Sequence, residues 1–141
     1  MSLGDLAACA GREVEARHDF FVDWFAGRAG EADLMRSRTA FDPGFVRIAP
    51  DGTVQDLDAV FSMLAARRGS VPAGALQIET EIETAVALPG DAVQLLYIER
   101  QRTPDGPTAR RSSALFVADP TAPEGVVWRW LHETWVDQAQ A

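Results

Sequence analysis

Residues 76–88, LQIETEIETAVAL, restrict the fold more than any other stretch. Leu76, Ile78, Thr80, Ile82, Thr84, Val86 and Leu88 alternate with Gln77, Glu79, Glu81 and Glu83. A period of two sustained this long is a strand with one polar face. A helix here would stack Glu79 on Glu83 and Gln77 on Glu81, with no basic partner for either pair. Pro89-Gly90 then turns the chain into AVQLLYIERQR, and Pro104-Asp105-Gly106-Pro107 turns it into RRSSALFVA. A looser DPTAPEG leads to a last strand that contains WRWLHETW, residues 128–135. The second half therefore predicts four long antiparallel strands.

The first hairpin also predicts a register. With Pro89-Gly90 as a two-residue loop, Leu88 faces Asp91, Ile82 faces Tyr97, Thr80 faces Glu99 and Glu79 faces Arg100. Ile82, Thr84, Leu95, Tyr97 and Glu99 then share one face. Glu79, Glu81, Leu96, Ile98 and Arg100 take the other, with a Glu79–Arg100 pair across the strands. A loop one residue longer or shorter would flip every partner.

The first half is helical in its spacing. Val14, His18, Phe21 and Phe25 recur at steps of four, three and four, which stacks them on one face of a helix over 13–28. Leu3, Ala7 and Ala10 extend that face if the helix begins early, and Gly27 and Gly30 bracket its end. A shorter helix is expected over 31–40, with Leu34 and Met35 inward. In FVRIAPDGTVQ, Pro50-Asp51-Gly52 forms the turn of a small hairpin. Asp56 or Asp58 caps a third helix that runs to about Arg68, with Val60, Phe61 and Leu64 inward and Gly69 at its end.

A chain of 141 residues with 47% hydrophobic residues builds one core, so a single domain over 1–141 is expected. Helices segregated from an antiparallel sheet make an α+β domain. The net charge is −8 and every basic residue is arginine. That balance lacks the electrostatic footprint for nucleic acid and is repelled by anionic lipid. A small neutral or cationic organic ligand, or another protein, suits it better. The lone Cys9 forms no internal disulfide and fits a reducing, cytoplasmic setting. The N-terminus has no signal-peptide pattern, and nowhere do about 18 apolar residues run together.

The element order, the length, the helix REVEARHDFFVDWFAGR, the stretch FVRIAPDGTVQDLDAV and the terminal WRWLHETW resemble the nuclear-transport-factor-2-like superfamily. This cone-shaped group includes ketosteroid-isomerase-like and SnoaL-like proteins, and the likeness is to its uncharacterised bacterial branch. The resemblance implies three N-terminal helices on a strongly curved antiparallel sheet. It further implies a pocket at the open end of the cone and a convex outer face that pairs two subunits. On that scheme His18, Phe21, Phe25, Trp128 and Trp130 line the pocket with His132. Leu96, Ile98, Leu131 and Trp135 lie outside, where a second copy covers them.

Three residues are candidates for acid/base chemistry. His132, set among aromatic rings, is expected either to act as a base or acid near pH 7 or merely to fill space with one hydrogen bond. Tyr97 and Glu99 share a face in any strand register. A buried phenol stabilises an oxyanion, and a carboxylate in an apolar cone shuttles protons. The plainer alternative leaves Tyr97 packed at the rim and Glu99 paired with an arginine. Of Arg110 and Arg111, the inward one is a natural partner for Glu99 or for a ligand carboxylate. His18 on the helix face is either a ligand contact or a satisfied core histidine.

No cofactor or metal is expected. HETWV lacks the second histidine of H-E-x-x-H, and no phosphate-binding glycine motif occurs. The expected function is a homodimeric domain that binds a small, largely apolar molecule. The alternatives are a cofactor-free isomerase, dehydratase or cyclase using His132, Tyr97 and Glu99, and an association module without a usable pocket.

Overall fold

The computed structural model describes residues 1–137. Helix α1 spans Leu3–Phe25, α2 Glu31–Arg38 and α3 Leu57–Ala66. The strands are β1 (Phe41–Ile48), β2 (Val54–Asp56), β3 (Gln77–Leu88), β4 (Ala92–Thr103), β5 (Gly106–Ala118) and β6 (Val126–Val136). They form one curved, unclosed sheet in the order β2-β1-β6-β5-β4-β3. The helices pack on its concave face, which is the α+β cone that the resemblance implies. The long strands β3 to β6 are antiparallel, as expected, but β1 runs parallel to β6.

Local chemistry sets the helix limits. The Ser2 hydroxyl accepts from the Asp5 N–H at 3.1 Å, so α1 begins at the early edge of the expected range. Leu6 and Ala10 are buried there, whereas Leu3 is exposed, contrary to expectation. Helix α2 buries Leu34 but leaves Met35 70% exposed, because eight residues present only a narrow inner stripe. The Asp56 carboxylate caps α3 by accepting from the Ala59 N–H at 2.8 Å. Val60, Phe61 and Leu64 face inward, as the spacing requires.

The ends of α1 and α3 meet closely. The Trp24 indole donates to the Leu64 carbonyl at 2.6 Å, and the Gly69 N–H donates to the Trp24 carbonyl at 3.1 Å. Gly27 and Gly69 both have φ near +70° (77° and 68°), and a Cβ on Gly27 would lie 3.4 Å from the Gly69 backbone. Glycine alone suits both demands. The core then fills with aromatic rings: Trp128 stacks on Phe41 at 5.9 Å and meets Phe116 at 4.5 Å. Burying one such ring contributes roughly 2–3 kcal/mol.

Two bulges decide which residues face the cone. Ile82 pairs with Tyr97, Thr80 with Glu99 and Glu79 with Arg100, as predicted. Beyond Ile82 the register shifts, so Leu88 pairs with Ala92 and Thr84 with Leu96. Thr84 therefore lies on the outer face. The hairpin loop is one residue longer than predicted: Gly90 and Asp91 both have positive φ, 81° and 52°. The bulge absorbs the extra residue, so Tyr97 and Glu99 keep their predicted face. The cross-strand ion pair is diagonal: Arg100 reaches Glu81 at 3.0 Å rather than Glu79.

In β6 the shift falls at Arg129: Trp128 pairs with Phe116, yet Trp130 pairs with Leu115. Every residue after the bulge changes face. Leu131, Glu133 and Trp135 turn inward, and Trp130 and His132 turn outward. This reverses the sequence-based assignment of Trp130, His132, Leu131 and Trp135. The cause lies in the neighbouring strand. Between Phe41 and Val46, β1 carries Pro43-Gly44 and spends five residues while β6 spends two. The Arg129 guanidinium donates to the Gly44 carbonyl in the gap, where a Cβ would approach it to 3.4 Å.

Candidate functional site

A cleft of about 410 Å³ opens between α1, α3, the β1–β2 hairpin and the concave face of the sheet. That size falls within the range for small organic ligands. One side is apolar. Phe21 and Phe25 from α1, Met63 from α3, Phe41 from β1 and Trp128 and Leu131 from β6 supply it. The other side is a chain of charged groups on neighbouring strands, reaching α1 at one end and the β1–β2 hairpin at the other.

His18 begins the chain. Its Nδ1 lies 2.6 Å from the Val14 carbonyl oxygen and its Nε2 lies 2.9 Å from Glu99 Oε1. Both nitrogens face oxygen acceptors, so the ring donates twice as an imidazolium. Burial works against that charge, but the Glu99 carboxylate outweighs it and raises the His18 pKa above its ordinary value. Burial likewise pushes Glu99 up. The charge and hydrogen bond of His18, with Arg110 and Gln101, overcome this and hold Glu99 at about 2. The second Glu99 oxygen accepts from the Gln101 amide.

Arg110 continues the chain. It pairs with Glu99 in the β4–β5 register and approaches its carboxylate at 3.9 Å, an ion pair without a hydrogen bond. Arg110 Nη1 donates to Glu133 at 3.1 Å, and Arg47 Nε donates to the other Glu133 oxygen at 2.6 Å. Arg47 Nη1 reaches Gln55 at 2.7 Å. Trp135 sits on the inner face beside Arg110, whose guanidinium carbon lies 4.8 Å from the ring centre. A separate buried cluster lies behind the cleft. Arg17 donates twice to Glu13, both at 2.8 Å, and once to Ser37 at 2.7 Å, while the Trp128 indole also donates to Glu13 at 2.8 Å.

The predicted residues divide clearly. His18, Phe21, Phe25, Trp128 and Glu99 line the cleft. Trp130 and His132 do not, because the β6 bulge sends both to the outer face. Tyr97 is fully buried beneath the wall, beside His18 at 6.0 Å between ring centres. Burial, with Glu99 and Glu133 nearby, pushes its phenol pKa well up. Tyr97 faces Ser112 in the register, and the Ser112 hydroxyl offsets part of that rise. The three acid/base candidates therefore do not converge: Glu99 meets His18 instead of His132.

Arg47, Gln101 and Glu133 escaped sequence reasoning. Inward charge on a strand is legible only with a correct register, and Glu133 sits beyond the bulge. Arg110 was readable, since alternation places one of Arg110 and Arg111 inward. Arg111 lies outside and pairs with Glu83 at 2.9 Å. Among the described residues, no group of three or more His, Cys, Asp or Glu side chains converges as a metal site. Among the same residues, no helix is long and apolar enough to cross a membrane.

No family model matches the chain, and a search of curated proteins finds no relative. Solved structures do match. An NTF-2-like protein of unknown function from Pseudomonas aeruginosa is 28% identical, with a TM-score of 0.82 over 92% of this chain and 99% of that one. A ketosteroid isomerase-like protein from Erwinia carotovora atroseptica aligns at a TM-score of 0.63 with 12% identity, over 96% of each chain. The CaMKII hub homology domain of Chlamydomonas reinhardtii aligns at 0.60 with 16% identity, over 91% of this chain and 99% of that one. The last two likenesses are of fold alone. Near-complete mutual coverage, the curved unclosed sheet with its packed helices, and the Pseudomonas neighbour place this chain in the nuclear-transport-factor-2-like superfamily.

Proposed function

We propose that this chain is a homodimeric small-molecule-binding domain whose cleft holds one organic ligand against its aromatic side. The observation that carries the reading is the cleft itself: about 410 Å³, apolar on one side, with a few fixed polar groups on the other. Such a division suits recognition, because aromatic walls supply affinity and buried polar groups orient the ligand. The polar side departs from the largely apolar pocket expected from sequence.

The acid/base enzyme is less well supported. A carboxylate held at about 2 by its partners is a weak base at neutral pH. His18, raised and bonded at both nitrogens, is a reluctant acid. The pair is built to hold a proton rather than to pass it on.

Native mass spectrometry of the purified protein tests the proposal. Gentle activation should show a dimer, and harsher activation should release a bound small molecule. A protein that carries no adduct, and whose thermal midpoint moves by less than about 2 °C with every member of a metabolite library, would overturn the ligand-binding reading.

A further inference from the structure

The charged wall of the cleft is unbalanced. Its charged groups are the buried His18 and the partly buried Arg47 and Arg110 on one side of the count and the buried Glu99 and Glu133 on the other. With the histidine doubly protonated, that is three positive charges against two negative. Asp51 and Arg67, which also line the cleft, carry equal and opposite charges, and Arg17 is neutralised by Glu13. The wall thus keeps one net positive charge inside a chain whose total is −8.

The donors are unbalanced as well. Each carboxylate oxygen on the wall already accepts one hydrogen bond: Glu99 from His18 and Gln101, Glu133 from Arg47 and Arg110. Arg110 Nε is buried and, beyond its 3.9 Å approach to Glu99, has no hydrogen-bond partner among the described residues. Arg47 uses Nε and Nη1 within the protein, and among the described residues no hydrogen bond engages its Nη2. A buried N–H such as Arg110 Nε costs stability when it lacks a hydrogen bond, and the partly exposed Arg47 Nη2 is free to donate to an acceptor supplied from outside.

We propose that the ligand is an apolar molecule carrying a single carboxylate, and that Arg47 and Arg110 receive this carboxylate while the aromatic side holds the body. The inference rests on the cleft being a ligand site. A planar monoanion matches both the one surplus charge and the guanidinium geometry. A phosphate monoester carries close to two negative charges at neutral pH and would leave one unneutralised beside two buried carboxylates. The overall acidity of the chain pointed toward neutral or cationic ligands, but contact groups outweigh a distant field screened within about 8–10 Å. A cation on this wall would meet three positive groups and two carboxylates whose four oxygens each already accept a hydrogen bond.

Calorimetric titration with matched pairs tests this: 3-phenylpropionate, 2-naphthoate and decanoate, each against its primary amide. The acids should bind about tenfold or more tightly than their amides, because a charge-assisted pair replaces a neutral one. In Arg110→Gln or Arg47→Gln that advantage should collapse while amide affinity stays nearly unchanged. Two separate arginine variants guard against one failing to fold, and the wild-type comparison needs neither. Equal affinity for acid and amide would overturn the carboxylate assignment and leave the cleft as a ligand site. Binding of neither series would overturn both.

Discussion

At the scale of single residues, the His18–Glu99 pair is the feature with the largest energetic consequence. Both side chains are almost wholly buried, so each depends on the other for its charge. Removing one partner of such a pair costs about 3–5 kcal/mol, because the survivor is left buried and unpaired. Glu99→Gln should therefore lower stability by about 3 kcal/mol, and adding His18→Gln should restore part of the loss. The pH dependence follows from the two shifts. Glu99 is depressed to about 2 from an ordinary 4.5, so its contribution is present above 4.5 and disappears as pH falls toward 2. His18 is raised from 6.5, so its contribution is full below 6.5 and disappears as pH rises through the folded value. Thermal midpoints should thus be highest between about pH 4.5 and 6.5 and decline on both sides. The His18→Gln/Glu99→Gln double variant should show a flatter profile. A decline in that variant as steep as in the wild type would assign the pH dependence to other groups.

At the scale of elements, the helices and strands were legible because their signals are local and repeated. The 76–88 strand, the helix cap at Asp56 and the Pro50-Asp51-Gly52 turn each rest on a few residues, and all three form, although a bulge after Ile82 interrupts the alternation and the cap falls to Asp56 rather than Asp58. The inner and outer faces of β6 were not legible. One extra residue at Arg129 inverts every later side chain, and its cause sits more than eighty positions away in β1. The only trace in the sequence is Pro43-Gly44, a pair that disrupts a strand ladder. That single error displaced Trp130 and His132 from the site and hid Glu133. The inversion has its own test. With the bulge, Leu131→Asp places a charge on the inner face and should cost about 2 kcal/mol or more. Thr134→Asp lies outside opposite Arg111 and should change stability by less than about 0.5 kcal/mol. Chemical denaturation of both variants reads the difference directly, and an unbulged strand would give the reverse order.

At the scale of the whole molecule, element order was enough to foresee an α+β domain, and the family resemblance implied the cone of helices on a curved sheet. The lining of the cleft was legible where local periodicity governs it, at His18, Phe21 and Phe25 on the helix and at Glu99 and Trp128 on strands ahead of the β6 bulge. The charged wall depends on contacts between strands that are distant in sequence. The outer face follows the same logic. It was expected to present Leu96, Ile98, Leu131 and Trp135, but the bulge turns the last two inward. Trp130 takes their place, 39% exposed and paired in register with Leu115. Ile98 is already shielded within the single chain, at 2% exposure, between strands that carry the Glu81–Arg100 and Glu83–Arg111 ion pairs. The apolar centre of a twofold contact would then be Trp130, Leu115 and Leu96, with those ion pairs toward its edge, the layout of a dry core and polar rim. A large aromatic at such a centre carries much of the binding energy, typically 2 kcal/mol or more when truncated. Sedimentation at micromolar concentration should therefore give a dimer for the natural sequence and a folded monomer for Trp130→Glu. Tryptophan at this position contacts neither the core nor the cleft, so its loss should leave ligand affinity within about threefold, well below the tenfold steps that mark a lost direct contact. A natural chain that sediments as a monomer would remove the outer face as an interface, and Trp130 would then stand as a solvent-facing ring without a partner.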